Sequence, residues 1–81
     1  MMTEYVKFEV DKEYSLLHKT KKYRIISMNS GETLGIIKWF PNWRKYVFFP
    51  ESRTIFDDKC LNEITQYLET LMTERKSETN S

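Results

Sequence analysis

The most regular hydrophobic pattern lies in the C-terminal part of the chain, in FDDKCLNEITQYLETLMTERK, residues 56–76. Its apolar residues recur every three or four positions, which places them on one stripe of an α-helix. Asp57 fits the N-cap position, and Phe56 and Leu61 fit the N′ and N4 positions of a hydrophobic staple. We therefore predict a helix that ends near residue 76 and buries a stripe formed by Cys60, Leu61, Ile64, Tyr67, Leu68, Leu71 and Met72.

Strand-like patterns precede this helix. VKFEV, residues 6–10, alternates apolar and charged residues, which predicts a short half-buried strand. YRIISM and TLGIIKWF are rich in β-branched and aromatic residues and flank the turn cluster NSGE, so residues 22–40 are predicted to form a hairpin. Gly31 would supply the positive φ that such a turn often needs.

A third strand of the sheet is predicted after a second turn. Pro41 presets the first turn position in FPNW, and RKYVFF continues as a strand that ends at Pro50. Residues 11–21 do not keep the two-residue period. In this segment Leu16 and Leu17 could belong to a helical turn or to another short strand.

These elements predict an α+β fold, with a three- to four-stranded antiparallel sheet packed on one C-terminal helix. A chain of 81 residues, 40% of them hydrophobic, suits one small core. We divide it into an N-terminal extension (residues 1–21) that could supply an edge strand, a β-β-β-α core domain (residues 22–76), and a tail (residues 77–81). The tail is expected to be disordered because it has no apolar residue to bury.

The amphipathic helix needs one apolar face of the sheet, and alternate residues of a strand point to opposite faces. The uncharged set Ile37 and Trp39 is expected to face the helix together with Val47 and Phe49. The opposite face would then be a mixed cationic and aromatic surface. Its predicted partner-binding residues are Arg24, Lys38, Phe40, Arg44, Tyr46 and Phe48.

The sequence does not decide two other features of this surface. The strand at residues 6–10, with Leu16 and Leu17, could fold over the cationic face and turn it into a second minor core. Trp43, in the turn before the third strand, could cap the core, cross to the cationic face, or pack on the N-terminal segment.

Aromatic residues and cations are concentrated in one part of the chain. KWFPNWRKYVFFP, residues 38–50, contains six aromatic residues and three cations but no acid. Residues 19–45 contain seven lysines and arginines and one acid, whereas residues 51–81 contain four cations and seven acids. A local basic patch attracts polyanions even on a nearly neutral protein, although a solvated sheet face opposite an acidic helix would show the same polarity.

The sequence offers little catalytic or metal-binding chemistry. His18 and Cys60 have no recognisable catalytic spacing, so we expect a surface histidine and a small buried thiol. Asp57 and Asp58 are adjacent at a helix start, where carboxylates usually cap. The two glycines, Gly31 and Gly35, match neither the P-loop nor the dinucleotide-binding pattern. We therefore expect a non-enzymatic protein without a metal or other cofactor.

Cysteine content and hydropathy suggest where such a protein would work. One cysteine excludes an internal disulfide, and the chain has neither a secretory signal pattern nor 18 consecutive uncharged apolar residues. We expect a soluble, unprocessed cytoplasmic protein with no membrane partner.

Residues 22–72 carry a series of short motifs whose central part reads KWFPNWRKYVFFPE, or KWxxxWRxYxFFPE as a pattern. The motifs are Leu34-Gly35, Ile37-Lys38-Trp39, Trp43-Arg44, Tyr46, Phe48-Phe49-Pro50-Glu51 and Cys60-Leu61. They resemble a family of small, mostly uncharacterised proteins of bacteriophages, prophages and related mobile elements. The resemblance implies an accessory protein in the cytoplasm of an infected or lysogenic bacterial cell. It assigns no active site, and residues 1–21 lie outside it.

Two functional hypotheses follow. The first is a nucleic-acid-binding module, in which Arg24, Lys38 and Arg44 contact phosphates while Phe40, Tyr46 and Phe48 stack on bases. The alternative is a protein-binding inhibitor or modulator of a host or defence protein, whose interface uses the same aromatic and arginine residues. A homodimer formed through the exposed sheet is a third way to cover this surface.

Overall fold

Four strands and two helices follow one another along the chain, and the computed structural model describes residues 5–79, with side chains up to residue 76. The elements are β1 (Val6–Val10), α1 (Lys12–Leu17), β2 (Lys22–Ser27), β3 (Thr33–Phe40), β4 (Lys45–Pro50) and α2 (Asp58–Thr79). The strands form one antiparallel sheet in the order β1-β2-β3-β4. The predicted α+β fold is therefore confirmed with four strands, and α2 continues to Thr79, beyond its predicted end near residue 76.

α2 packs across one face of the sheet and closes the hydrophobic core. The buried residues come from all four strands and from the helix: Val6, Tyr23, Ile25, Leu34, Ile37, Tyr46, Ile64 and Leu71. A second layer of partly buried side chains packs against them: Phe8, Trp39, Phe48, Phe56, Cys60, Tyr67, Leu68 and Met72. The helical stripe predicted from the sequence is confirmed for all its members except one, which lies at the helix start.

That exception is Leu61, which is 48% exposed. It lies in the first turn, at the edge of the apolar stripe, so the prediction that it packs against the sheet is wrong. The predicted N-cap is confirmed, because Asp57 Oδ1 accepts the N–H of Cys60 at 2.9 Å. This hydrogen bond lowers the pKa of Asp57, and the ionised carboxylate suits the positive end of the helix dipole.

The N-terminal extension supplies the edge strand β1. Its backbone pairs with β2, and α2 holds it from the other side, since the Glu63 carboxylate accepts the N–H groups of Tyr5 and Val6 at 3.1–3.2 Å. The ring of Phe8 stacks on Tyr67 with centroids 3.9 Å apart. Backbone pairing, an ionic hydrogen bond and ring stacking thus tie β1 to both layers of the fold.

Of the two alternatives for residues 11–21, the helical one is observed. Asp11 caps α1 by accepting the N–H of Tyr14 at 3.0 Å. Leu16 and Leu17 are 86% and 80% exposed. The alternative in which they and β1 fold over the second face of the sheet is therefore wrong, because β1 extends the sheet at its edge instead.

Two turns set the lengths of the hairpins. Gly31 has φ 76°, as predicted for the turn between β2 and β3. The loop between β3 and β4 comprises residues 41–44, and the N–H of Trp43 donates to the carbonyl of Phe40 at 3.2 Å. Arg44 closes this loop with φ 52°, a left-handed conformation that glycine adopts more easily than arginine.

Gly35 lies at a point of β3 where the adjacent strand β4 leaves no room for a side chain. A Cβ atom at this position would overlap the carbonyl oxygen of Phe49 and lie 2.7 Å from the ring of Phe48. The pairing of β2 with β3 also shifts by one residue beside it, between Ile25 and Ile26. The space is therefore taken by the backbone of Phe49 and the ring of Phe48, both on the adjacent strand β4.

We expect Gly35→Ala to lower the free energy of unfolding by about 1–3 kcal/mol, because the added methyl group displaces the Phe48 ring or the backbone of β4. Gly31→Ala is the matched control: open space surrounds Gly31, so the loss is limited to left-handed strain of about 1 kcal/mol. Urea denaturation followed by circular dichroism measures both. A smaller loss at Gly35 than at Gly31 would contradict the close packing of Phe48.

Candidate functional site

The face of the sheet opposite α2 is the candidate site, and we call it the open face. Directly paired residues of antiparallel strands share a face, so the strand registers define its members. One row runs Glu9, Arg24, Ile36, Phe49, and a second runs Lys22, Lys38, Val47. The complete set is Lys7, Glu9, Lys22, Arg24, Ile26, Thr33, Ile36, Lys38, Phe40, Lys45, Val47 and Phe49.

Three of the six predicted binding residues lie on the open face: Arg24, Lys38 and Phe40. Arg24 is exposed, and the other two are half-buried. They come from the parts of β2 and β3 that pair regularly, on one side of the register shift between Ile25 and Ile26. Their placement follows from alternation alone.

Tyr46 and Phe48 are on the opposite side, so their predicted placement is wrong. Tyr46 is 7% exposed, its hydroxyl accepts the N–H of Lys21 at 3.2 Å, and its ring contacts Trp39 edge-on. Phe48 packs its ring against Phe56 with centroids 5.5 Å apart. The physical reason is the four-residue loop, which pairs Phe40 with Lys45 and thereby sends the next residue, Tyr46, to the helix side.

The same register corrects the expectation for Val47 and Phe49, which lie on the open face and not against α2. Trp39 and Ile37 do face the helix as predicted. The guanidinium of Arg75, on α2, lies 4.1 Å from the ring centroid of Trp39 and covers it. The helix side of the sheet therefore holds Tyr46 and Phe48 of β4, and the open face holds Lys45, Val47 and Phe49.

An aromatic cluster forms at the β3–β4 end of the open face, from Phe40, Trp43 and Phe49. Ring centroids are 5.0 Å apart for Phe40 and Trp43 and 6.3 Å apart for Phe40 and Phe49, each pair edge-to-face. Trp43 is 65% exposed. Of the three placements that the sequence left open, contact with the open face through Phe40 is the one observed.

The open face carries five cations and one acid, Glu9. The cations are Lys7, Lys22, Arg24, Lys38 and Lys45. Lys22 and Lys38 are direct cross-strand partners, and like charges in this position destabilise a sheet. Lys22 Nζ lies 4.0 Å from Asp11 and 5.7 Å from the centroid of the Tyr14 ring. Among the residues that the structure describes, neither Lys38 nor Lys45 has a carboxylate within 4.0 Å.

Glu9 neutralises only the β1 edge of the open face. Its carboxylate accepts a hydrogen bond from Arg24 Nη2 at 2.8 Å and lies 3.1 Å from Lys7 Nζ. The Arg24 hydrogen bond, with a further contribution from Lys7, lowers the pKa of Glu9. The positive charge that has no acidic partner is consequently at Lys38 and Lys45, beside the aromatic cluster.

Arg44 belongs to the loop and not to a strand. Its side chain is exposed and adjoins Trp43 in sequence, at the same corner as the aromatic cluster. Its left-handed backbone is unfavourable for a residue with a Cβ atom. Non-glycine residues in such conformations cluster at functional sites, which makes Arg44 a candidate binding residue from its backbone as well as its charge.

The other reactive side chains have ordinary surroundings. His18 is exposed, stacks on Tyr14, and places Nδ1 3.0 Å from the carbonyl of Tyr14. Cys60 is partly buried, and burial together with the Asp57 carboxylate raises the pKa of its thiol. Within residues 5–79 no three histidine, cysteine or acidic side chains are grouped to hold a metal ion, and no helix is long and apolar enough to cross a membrane.

Sequence reasoning missed the parts of the site that depend on the β3–β4 register: Lys45, Val47 and Phe49. A signal was present in the length of the loop. Four-residue hairpin loops are common and often contain a type I turn, so residues 41–44 could have been counted as the loop. Pairing Phe40 with Lys45 would then have placed all three correctly. Lys22 was missed for another reason, since it begins β2.

Comparison with known proteins finds a phage relative. A segment of 58 residues is 43% identical to an uncharacterised 9.3 kDa protein of Acholeplasma phage L2, and it covers 72% of this chain and 74% of that protein. No protein-family model and no solved structure matches the chain. The predicted resemblance to small uncharacterised phage proteins is thus confirmed, whereas the KWxxxWRxYxFFPE pattern as a family signature stays a prediction.

The β4 register can be tested with neighbouring phenylalanines. We expect Phe48→Ala to lower the free energy of unfolding by about 2–4 kcal/mol, because it removes a ring from the core. Phe49→Ala should cost less than about 1.5 kcal/mol, since its ring is on the open face. Chemical denaturation measures both, and the reverse order would contradict the register.

The backbone of Arg44 makes a second prediction. Arg44→Gly should raise the free energy of unfolding by up to about 1 kcal/mol, because glycine adopts φ 52° without strain. Arg53→Gly, at the other positive-φ arginine (φ 63°), should have a similar effect and serves as the matched control. Thermal denaturation monitors both variants. A loss of stability at Arg44 alone would mean that its side chain supports the fold.

Proposed function

The chain belongs to the same family as the uncharacterised Acholeplasma phage L2 protein, and on this premise we propose that it is a non-enzymatic phage-type accessory protein that binds nucleic acid through the open face. The open face combines unpaired positive charge with exposed aromatic rings. These are the two groups that proteins use to hold single-stranded nucleic acid, one for phosphates and the other for bases.

The observation that carries this proposal is the pairing of Lys22 with Lys38 across β2 and β3. Two ammonium groups on directly opposite residues repel each other, and Asp11 lies near only Lys22. A phosphate group between them would turn this repulsion into attraction for both. Release of condensed counterions from the nucleic acid would add to the binding free energy.

The aromatic cluster supplies a stacking surface next to that charge. Lys38 and Phe40 are alternate residues of β3 and share the open face, and Lys45 pairs directly with Phe40. Bases stacked on Phe40, Trp43 and Phe49 would therefore have their phosphates within reach of lysines. Stacking needs unpaired bases, so we expect single strands to bind more tightly than duplexes.

A second function is favoured by a different observation, the central position of the apolar side chains Ile36 and Val47 among the charges. An apolar centre with a charged rim is also the anatomy of a protein–protein interface. The alternative proposal is accordingly a protein that inhibits or modulates a host or defence protein, with Trp43 and Phe49 as its main contacts.

The test is a fluorescence anisotropy titration of mixed-sequence single- and double-stranded DNA and RNA oligonucleotides at low and physiological salt. We expect binding that weakens steeply with salt, with Lys38→Ala lowering the salt slope by about one unit. Trp43→Ala should weaken binding by about tenfold or more through lost stacking. Lys59→Ala, which removes a cation on α2 near the ring of Tyr5, is the control and should have little effect.

Arg44→Gly and Arg53→Gly extend the same titration, because both remove one charge and relieve the same backbone strain. Only Arg44→Gly is expected to weaken binding. Absence of binding to every oligonucleotide at low salt would overturn the nucleic-acid proposal. A salt-insensitive complex with a host protein that is lost on Phe49→Ala would support the alternative.

A further inference from the structure

The outer edge of β1 carries backbone groups that no strand of the described chain pairs with. Two backbone hydrogen bonds flank this strand. The N–H of Met28 donates to the carbonyl of Tyr5 at 3.0 Å, and the N–H of Asp11 donates to the carbonyl of Lys22 at 2.8 Å. Odd-numbered residues of β1 therefore point their backbone groups towards β2. The N–H and C=O groups of Val6, Phe8 and Val10 consequently point outward.

The other edge of the sheet is blunted. On β4, the N–H of Tyr46 is directed at Met72 Sδ, at 3.3 Å, and Pro50 has no N–H to donate. Proline on an edge strand is a common device against further pairing. The two edges of the sheet thus differ, and β1 is the one that presents consecutive outward groups.

The sequence of β1 complements itself when two copies run antiparallel. VKFEV reads valine, lysine, phenylalanine, glutamate, valine, so pairing centred on Phe8 places Lys7 of each copy opposite Glu9 of the other. In the same arrangement, Val6 of each copy lies opposite Val10 of the other. Since the outward groups belong to Phe8 and the valines, the lysine and glutamate fall in the non-hydrogen-bonded pairs, where side chains approach most closely.

We propose that the chain forms a homodimer through antiparallel pairing of β1 with β1 of a second copy, which joins the two sheets into one of eight strands. The N–H and C=O groups of Phe8 pair with those of its counterpart, and the N–H of Val10 donates to the carbonyl of Val6 on each side. The N–H of Val6 keeps its hydrogen bond to the Glu63 carboxylate. The contact between the two β1 strands, which we call the seam, is therefore limited to the central and C-terminal part of β1.

This arrangement follows a two-fold axis perpendicular to the sheet. Both open faces therefore lie on the same side of the joined sheet, and both α2 helices lie on the other. A strand of five residues buries little surface, so the dimer is weak and depends on protein concentration. The inference does not rest on nucleic-acid binding, although it would double the surface available to a long ligand.

Sedimentation velocity of the full chain without nucleic acid, from about 1 μM to about 1 mM, tests the dimer. Lys7→Glu places two carboxylates opposite each other in a homodimer, and Glu9→Lys places two ammonium groups opposite each other. Each variant alone should therefore associate at least tenfold more weakly than the natural chain. An equimolar mixture of the two should associate again, because each copy then meets the opposite charge.

Lys38→Glu is the matched control, because it makes the same charge change on β3, away from the seam, and should leave association unchanged. Circular dichroism shows that each variant is folded. A natural chain that stays monomeric at the highest concentration would overturn the proposal. So would a mixture that associates no better than its two components, since the contact would then lie elsewhere.

Discussion

The pairing of Phe40 with Lys45 across the four-residue loop is the constraint on which the two sides of this molecule depend. Because side chains alternate along a strand, this one pair determines the direction of every residue in β4. Tyr46 and Phe48 enter the core, and Val47 and Phe49 reach the open face. A loop one residue longer or shorter would exchange the two sets and place Lys45, Val47 and Phe49 against α2.

Core packing confirms this register from the other side of the sheet. The Phe48 ring occupies the space that a side chain at position 35 would need, and it meets Phe56 just before α2 begins. Tyr46 contacts Trp39 and receives a hydrogen bond from the backbone of Lys21. These contacts use two aromatic residues of β4, Tyr46 and Phe48, whereas the alternate set offers only Phe49 beside Lys45 and Val47, so turn geometry and packing favour the same arrangement.

With the helix side filled, the open face is left with cations that repel one another and with rings that water solvates poorly. Lys22 and Lys38 oppose each other, while Trp43 and Phe49 remain accessible. Such a surface is less favourable in the isolated protein than in contact with a partner of complementary chemistry. A polyanion with stacking bases satisfies both groups at once, whereas a protein partner would have to supply acids and apolar side chains together.

Local patterns in the sequence determined the elements: the apolar stripe and N-cap of α2, the β1 alternation, the hairpin of β2 and β3, and the positive φ of Gly31. Each depends on residues within about one turn or one strand, so neighbouring side chains suffice to specify it. Only the tertiary structure decided which face of β4 is buried, that Leu61 is half exposed, and that Trp43 joins Phe40. Those outcomes depend on strand register and on where the sheet ends beneath the helix, which are relations between residues distant in sequence.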